Sequence, residues 1–319
     1  TETGYGIAVD IGTTTVAMQL FDRVSGTVLA EQLAENAQRS HGADVISRIE
    51  ACKAAGLNTL STLIRDQLEQ MAQRCLTEAG ISHIDEAVVT GNSTMLYLYE
   101  GIDPSALAVV PFTMSTFFGS TSRHTLAGAP VYLPRCIGAY VGADITCSIL
   151  ASDMLHEDGV QLMTDIGTNG EMALYKDGKL LCCATAAGPA FEGAGLSCGM
   201  PAAPGAIRTV ELSDNQVTYT TVGDRPAVGI CGSGILDALR VMLAQETIDD
   251  TGYLETEDEE SYTIGNSTVA ITQKDVRQIQ LAKSAICAGL LTLMQESSIT
   301  ADEVALFHVA GGFGSSINY

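Results

Sequence analysis

The chain has 319 residues, of which 16 are Lys or Arg and 38 are Asp or Glu, so its formal net charge is −22. This acidity argues against nucleic acid or an anionic membrane as the main partner, because phosphate-rich surfaces are bound by basic faces. Apolar residues make up 46% of the chain, yet no apolar run reaches the roughly 18–20 residues that cross a bilayer. The first ten residues also lack the basic start and apolar core of a signal peptide. We therefore expect a soluble, cytoplasmic protein of about two domains.

The nine cysteines are scattered, with no C-x-x-C pair and no cluster that resembles a zinc or iron–sulfur site. An odd number of dispersed cysteines in apolar surroundings indicates reduced thiols in a reducing compartment. We expect them to be structural.

A repeat organises the chain. Residues 5–29 and 161–183 both read as a strand, a tight Gly/Thr turn, a second strand, a polar turn and a third strand. The tetrapeptide Asp-Ile-Gly-Thr occurs at 10–13 and again at 165–168. In each copy an apolar strand carries an Asp to its tip and a turn of small residues follows. We refer to residues 10–14 and 165–170 as the first and second D-I-G-T turns.

Later elements extend the duplication. Apolar periodicity predicts long helices over 58–79 and 274–296, with Asn58 as the N-cap of the first and Gly80 as its end. Each helix precedes a short apolar strand that runs into a Gly turn, at 85–92 and 302–312. The pattern predicts two similar α/β halves, 1–155 and 156–319, with a cleft between them.

Two segments lie outside the repeat. Residues 101–135 carry four prolines among Ser, Thr and Gly, which predicts a crossing loop region. Residues 246–267 are rich in turns and acidic residues, which predicts a solvated excursion on the surface. Its acidic residues include Asp249, Asp250, Glu255, Glu257, Asp258, Glu259 and Glu260.

The duplicated turns have the composition of a phosphate clamp. Gly12 and Gly167 allow close backbone approach, so that successive N–H groups and Thr hydroxyls can point at anionic oxygens. Asp10 and Asp165, at the strand tips, can hold a hydrated Mg²⁺. The alternative is that both are plain hairpin turns with a capping Asp.

Three further Gly-rich turns strengthen the prediction of a nucleotide cleft. Gly232, Ser233 and Gly234 open a predicted helix, a position suited to an anion or a ribose. Gly311 and Gly312 follow a predicted strand and could let an adenosine lie against the backbone. The loop 188–195 presents Glu192. The chain contains no Walker-type phosphate loop.

Two such turns and a late V-A-G-G sequence resemble the superfamily of acetate and sugar kinases, heat-shock chaperones and actin. Longer stretches are similar to the nucleotide-binding domain of the reductive activators of corrinoid proteins. They are VDIGTTTVA (9–17), GADVISRI (42–49), TGNSTM (90–95), YVGADI (140–145), TDIGTNGEMAL (164–174), AAGPAFEGA (186–194), GICGSGILDAL (229–239), TQKDVRQIQLAKSAI (272–286) and VAGGFG (309–314).

This resemblance implies two actin-like, ribonuclease H-like halves and an ATPase that uses ATP and Mg²⁺ to promote reduction of a corrinoid protein from Co(II) to Co(I). The matching positions imply Asp10 and Asp165 as catalytic residues and metal ligands, and Glu171 and Glu192 as catalytic candidates that orient the attacking water. The nucleotide-binding residues implied are Gly12, Thr13, Thr14, Gly167, Thr168, Asn169, Gly170, Gly232, Ser233, Gly234, Lys283, Gly311 and Gly312.

Members of that family also carry an N-terminal ferredoxin-like domain with a Cys-ligated [2Fe–2S] cluster. This chain has no such Cys set, so we expect the electron to come from a domain or donor protein outside it. It ends at Tyr319, soon after the adenosine motif, where the family continues, so part of the second half is expected to be missing. Family analogy also suggests a homodimer.

Three alternatives stay open at the level of sequence. A small-molecule kinase could use the same cleft, although no sugar or acetate motif is recognisable. An activator of a radical dehydratase would need a bridging iron–sulfur cluster, for which Cys198 or Cys231 would be the ligands. A non-enzymatic nucleotide sensor would bind ATP without turnover.

Overall fold

The computed structural model describes residues 4–255 and 261–314. The chain divides into two compact units, Thr1–His156 and Glu157–Tyr319. Within the described residues, no helix is long and apolar enough to span a membrane. Glu257 to Glu260, and the chain end at Ile317–Tyr319, lie outside the described residues.

The first unit is built on a six-stranded sheet with the order β3-β2-β1-β4-β6-β5. The strands β1, β2 and β3 form an antiparallel meander, and β4 adds to β1 in parallel. The elements are β1 Tyr5–Ile11, β2 Thr15–Asp22, β3 Val28–Glu35, α1 Val45–Ala51, α2 Leu57–Ala79, β4 Glu86–Gly91, α3 Ser93–Glu100, β5 Ser120–Leu126, β6 Ala129–Leu133 and α4 Ala143–Ala151.

The helix predicted over 58–79 is confirmed, with a different start. α2 begins at Leu57 and is continuous with α1 through a π-helical turn at Cys52–Gly56. Asn58 therefore lies inside the helix, and its prediction as the N-cap was wrong. Gly80 ends α2 in the left-handed conformation, as predicted. The apolar face of α2, which includes Leu60, Ile64 and Leu68, packs into the core over the sheet.

The prediction of a crossing loop over 101–135 was wrong for its second half. Ser120–Leu126 and Ala129–Leu133 form an antiparallel hairpin, and β6 extends the sheet beside β4. Ala129, Val131 and Leu133 alternate with exposed residues, which is the period of a half-buried strand. The turn has positive φ at Ala127 and Gly128, as two-residue hairpins require.

The second unit contains a four-stranded sheet with the order β15-β7-β8-β9, and smaller sheets packed near it. Its elements are β7 Val160–Ile166, β8 Gly170–Lys176, β9 Lys179–Thr185, β10 Ala206–Ser213, β11 Gln216–Thr221, β12 Gly229–Ile230, α5 Gly232–Ala244, β13 Ser261–Thr263, β14 Ala270–Thr272, α6 Gln273–Glu296, β15 Val304–Ala310 and α7 Gly311–Gly314. The helix predicted over 274–296 is α6, whose face of Val276, Ile279, Ala282, Ile286 and Leu293 is buried.

The predicted duplication is present in the topology. In the first unit the order β3-β2-β1-β4 includes one parallel pair, β1 with β4, and α2 lies between β3 and β4 in the chain. In the second unit β9-β8-β7-β15 repeats this order, with β7 and β15 parallel and α6 before β15. The two D-I-G-T turns therefore follow the equivalent strands β1 and β7.

Candidate nucleotide site

The first D-I-G-T turn is held by its carbonyl groups. The side-chain amide of Asn36 donates to the Gly12 carbonyl at 2.8 Å, and the backbone N–H of Asn36 donates to the Thr14 carbonyl at 2.9 Å. Nη2 of Arg48 donates to the carbonyl between them, that of Thr13. Three successive carbonyls are thus bound by the segment that follows β3.

This arrangement fixes where the amides of the turn point. In a trans peptide the C=O and the following N–H point in opposite directions. Each N–H group of residues 13–15 therefore points away from the donor that binds the carbonyl of the same peptide group. Successive amides on one side of a turn form a concavity suited to an anion. A phosphate-binding role for Gly12, Thr13 and Thr14 stays a prediction.

The end of β4 closes on the same turn. Asn92 caps α3 by accepting the Met95 N–H at 3.0 Å, and its side-chain amide donates to the Thr13 hydroxyl at 3.0 Å. Gly142, at the start of α4, lies so close to Gly91 and Asn92 that an added methyl group would overlap their backbone. The Thr13 side chain is consequently buried.

Asp10 stands at the tip of β1. Its side chain has an exposed surface, yet the protein atoms around it desolvate the carboxylate and raise its pKa. Burial raises the pKa of the nearby Cys147 thiol, and the negative charge of Asp10 acts in the same direction. Cys147 Sγ lies 3.5 Å from the Thr90 hydroxyl at the end of β4. An accessible carboxylate that is partly desolvated by protein is a suitable ligand for a hydrated cation.

The second D-I-G-T turn places two carboxylates together. Asp165 and Glu171 are directly opposite in the β7–β8 pair, and Ala310 lies beside Asp165 in β15. Side chains directly opposite on antiparallel strands project from the same face, with Cβ atoms about 4.5–5.5 Å apart. Two like charges there destabilise the sheet unless a cation or a proton neutralises them. Glu171 is buried, and Asp165 is half-buried.

Glu192 reaches this turn from the loop predicted to present it. The Thr168 hydroxyl donates to Glu192 Oε2 at 2.5 Å, and the loop is fixed by the Gly188 N–H, which donates to the Thr168 carbonyl at 2.9 Å. Gly311 packs so closely on Asp165 that an added methyl group would overlap its carboxylate. The structure thus brings Asp165, Glu171, Glu192 and Gly311 together around one turn.

The Gly-rich turn at residues 232–234 is packed closely against β10. Gly232, Ser233 and Gly234 are buried at the start of α5, and the Ser233 hydroxyl donates to the Arg208 carbonyl at 2.8 Å. Lys283 is exposed on α6 and Gly312 is exposed after β15. A nucleotide role for these five residues stays a prediction.

Two residues in the second turn, Asn169 and Gly170, complete the predicted set. Gly170 pairs with Ile166 across the hairpin and accepts a hydrogen bond from the Thr185 hydroxyl at 3.3 Å. Asn169 lies in the turn itself and is half-buried. Both positions are thus part of the hairpin that carries Asp165.

Each turn carries an Asp of the kind that binds a hydrated Mg²⁺, Asp10 at the first and Asp165 at the second, and a metal role for them stays a prediction. Among the described residues, no group of three or more His, Cys, Asp or Glu side chains is arranged to hold a metal ion. Mg²⁺ commonly binds through one or two carboxylates and completes its shell with water and nucleotide oxygens. The thiols of Cys198 and Cys231, considered above as cluster ligands, belong to no such group, and Cys231 Sγ lies 3.3 Å from the Ile207 carbonyl.

Sequence reasoning missed Asn36, Arg48 and Asn92, the side chains that bind the first turn. Arg48 and Asn92 lie in GADVISRI and TGNSTM, two of the stretches on which the family resemblance rests, so the sequence marked both positions. The sequence did not indicate which atoms these side chains bind, because Arg48 and the Thr13 carbonyl are 35 positions apart in the chain.

The duplicated sheets and their paired turns define an α/β protein of the ASKHA class, the actin-like superfamily. A family model described as the C-terminal domain of RACo, the ASKHA domain, matches residues 159–319, and one described as the RACo middle region matches residues 5–157. The chain therefore belongs to the RACo family. The resemblance inferred from the sequence and the predicted fold class are confirmed.

Individual proteins that are similar to this chain over nearly its whole length carry names that fit this family. The chain is 33% identical over 353 aligned residues to the corrinoid activation enzyme RamQ of Eubacterium limosum, covering 98% of this chain and 58% of the relative. It is 27% identical to the [Co(II) methylated amine-specific corrinoid protein] reductase of Methanosarcina barkeri, covering 98% of this chain and 64% of the relative. A solved reductive activator for corrinoid, iron-sulfur protein superposes with a TM-score of 0.89 at 35% identity, covering 100% of this chain and 55% of that one. The chain thus spans little more than half the length of these proteins.

Proposed function

We propose that this chain binds Mg-ATP and hydrolyses it to drive the reductive activation of a corrinoid protein, in which one electron converts Co(II) to Co(I). The observation that supports it best is the duplicated D-I-G-T turn, placed at equivalent strand ends in a chain that belongs to the RACo family. The electron is supplied by a [2Fe–2S] domain or protein outside this chain. ATP and water yield ADP and phosphate, and the cobalt is the substrate that gains the electron.

The two turns hold the phosphates and the ion in this proposal. The amides of residues 13–15 bind phosphate oxygens, and Asp10 and Asp165 bind water molecules of the Mg²⁺ shell. When bound, Mg²⁺ neutralises the phosphate charge and polarises the phosphoryl group under attack. Gly232 to Gly234, Lys283, Gly311 and Gly312 are assigned to the nucleoside side.

Glu192 is the residue we assign to the attacking water. Its carboxylate accepts the Thr168 hydroxyl at 2.5 Å, which orients it over the second turn. Glu171 is buried beside Asp165 and takes a supporting role, because its position leaves less room for water. A carboxylate that orients a nucleophile contributes mainly to the rate of the chemical step.

ATP is needed because Co(I) is a low-potential state, so its formation has to be coupled to another reaction. A ligand can shift an equilibrium only through its different affinities for the two states. Coupling therefore requires that the nucleotide state changes how tightly the chain binds the corrinoid protein in one oxidation state.

The test is Mg-ATP hydrolysis by this chain with and without a corrinoid protein poised as Co(II). We expect the partner to stimulate turnover, and we expect Asp10→Asn and Asp165→Asn each to abolish it while the fold is kept. Turnover that ignores the corrinoid protein would contradict the activator assignment and direct attention to a small-molecule acceptor. Turnover that survives either substitution would contradict the role of that Asp.

A second variant separates chemistry from binding. Glu192→Gln keeps the size of the side chain and removes its charge, so we expect kcat to fall by about 10² to 10⁴ with KM nearly unchanged. Asp250→Asn, a change at an exposed carboxylate in the acidic excursion, is the control and should leave both constants unaltered. A rise in KM without a fall in kcat would assign Glu192 to nucleotide binding.

A further inference from the structure

Among the residues that the structure describes, Arg48 is the largest fully buried side chain, with none of its surface exposed. It lies on α1 directly behind the first D-I-G-T turn. Its Nε donates to the Gly42 carbonyl at 3.0 Å and its Nη2 to the Thr13 carbonyl. Nη1 contacts Met95 Sδ at 3.1 Å and Gln38 Oε1 at 3.5 Å. Each of these four partner atoms is a neutral oxygen or sulfur.

The charge of Arg48 has no carboxylate beside it. Among the described residues, no Asp or Glu oxygen lies within 4.0 Å of its nitrogens. Burial lowers the pKa of Arg48 to about 10, with Arg39 acting in the same direction and Asp44 opposing them, so the group stays protonated at neutral pH. A buried cation without an anionic partner is costly, and folds keep buried charges mainly where they are paired.

We propose that the partner of this charge is the polyphosphate of the nucleotide, which makes Arg48 a positioning and specificity-determining residue. The inference rests on the proposed function and deepens it. Arg48 binds the carbonyl side of the turn, and the amides of residues 13–15 open on the other side. An anion on those amides would lie across the peptide group whose Thr13 carbonyl binds the guanidinium.

The magnitude follows from that separation. At about 8 Å and an effective dielectric constant of about 20, attraction between two unit charges corresponds to about thirtyfold in affinity. The attraction grows with the charge carried by the phosphates. Arg48 should therefore favour ATP and ADP over AMP, and its loss should be felt in KM more than in kcat.

The experiment measures binding of Mg-ATP, Mg-ADP and AMP by calorimetry to the wild-type chain, Arg48→Met and Arg48→Lys. Arg48→Met removes both the charge and the hydrogen bonds, whereas Arg48→Lys keeps the charge. Arg65→Met is the matched control, because Arg65 also donates to a backbone carbonyl, that of Tyr99 at 3.1 Å, without contacting the turn. Circular dichroism checks that each variant is folded.

We expect Arg48→Met to weaken ATP binding at least about tenfold and AMP binding by less than about twofold, with Arg48→Lys between wild type and Arg48→Met. Arg65→Met should leave the ratio of ATP to AMP affinity unchanged. An equal loss for ATP and AMP, or none for ATP, would overturn the inference. If Arg48→Met does not fold, Arg48→Gln, which also removes the charge, is measured in its place and should lower the ratio of ATP to AMP affinity at least about fivefold, whereas an unchanged ratio would overturn the inference. A wild-type chain that binds no ATP would overturn the proposed function itself, and the inference with it.

Discussion

Asn36 binds the first D-I-G-T turn through its backbone N–H and its side-chain amide. Replacing Asn36 by Ala removes only the side-chain contacts and tests how much they stabilise the turn. The side chain is buried, and its amide donates to the Gly12 carbonyl at 2.8 Å. Its Oδ1 accepts the Gln38 N–H at 2.9 Å and so caps the 3₁₀ turn Ala37–His41. Asn36→Ala removes both bonds and leaves the carbonyl without this donor.

The expected decrease in the free energy of unfolding follows from these contacts. An unpaired buried carbonyl costs about 1–3 kcal/mol, and the loss of an N-cap about 1 kcal/mol. The sum of about 2–4 kcal/mol is a large part of the stability of a typical domain, which is about 5–15 kcal/mol. In a unit of this size each kcal/mol lowers Tm by about 2–4 °C, so we expect a decrease of about 10 °C.

Thermal melting followed by circular dichroism measures this shift, and Mg-ATP binding should weaken in parallel because the amides of the turn lose their orientation. Asn58→Ala is the control, since Asn58 is exposed on α2 in the same unit. A shift below about 2 °C for Asn36→Ala, the size of an ordinary surface effect, would refute the reasoning.

Three further predictions test other parts of the structure. Because desolvation raises the native pKa of Asp10 above its ordinary value of 3.8, its carboxylate destabilises the fold as pH rises through that range. Asp10→Asn should therefore raise Tm at neutral pH, and the gain should vanish in melts below that ordinary value; an equal gain at every pH would contradict it. Gly234→Ala puts a methyl group against the Ile207 carbonyl, so urea unfolding should show a loss of about 1–3 kcal/mol, whereas Gly138→Ala, with open space around it, should show none. Burial, followed by the neighbouring Cys183, raises the pKa of the Cys182 thiol to about 11, while Cys287 is exposed. Mass mapping after brief iodoacetamide treatment at about pH 8 should find Cys287 modified well before Cys182, and the reverse order would refute the assigned burial.

The elements that sequence reasoning found are those with a strong local signal. α6 was predicted within one residue at its start, because its apolar positions recur at helical spacing; the structure adds a capping box of Thr272 and Asp275 at that start. The duplicated hairpins were visible because the tetrapeptide itself repeats. The hairpin of β5 and β6 was missed because Pro130 and the serines of β5 are typical of loops, although Ala129, Val131 and Leu133 alternate as a strand requires.

The contacts that shape the site were hidden for a different reason. Asn36 and Arg48 bind carbonyls of residues 12–14, and a carbonyl has no residue-type signature in a sequence. Ser233 was predicted to face a ligand because a Gly-Ser-Gly turn before a helix is typical of anion sites. Its hydroxyl donates to the Arg208 carbonyl, and Gly234 packs against the Ile207 carbonyl, two contacts that no residue pattern indicates.

The two D-I-G-T turns share a sequence, an Asp and a place in the sheet, but the other charged groups near them differ in sign. Behind the first turn lies the buried guanidinium of Arg48, whereas the second turn is lined by the carboxylates of Glu171 and Glu192. A positive charge behind a set of amides increases affinity for phosphate, while carboxylates repel it and bind water or a cation instead. We therefore expect substitutions behind the first turn to act mainly on nucleotide affinity and those around the second to act mainly on kcat. If Arg48→Lys lowered kcat alone, or Glu192→Gln raised KM alone, this division of roles between the duplicated turns would be wrong.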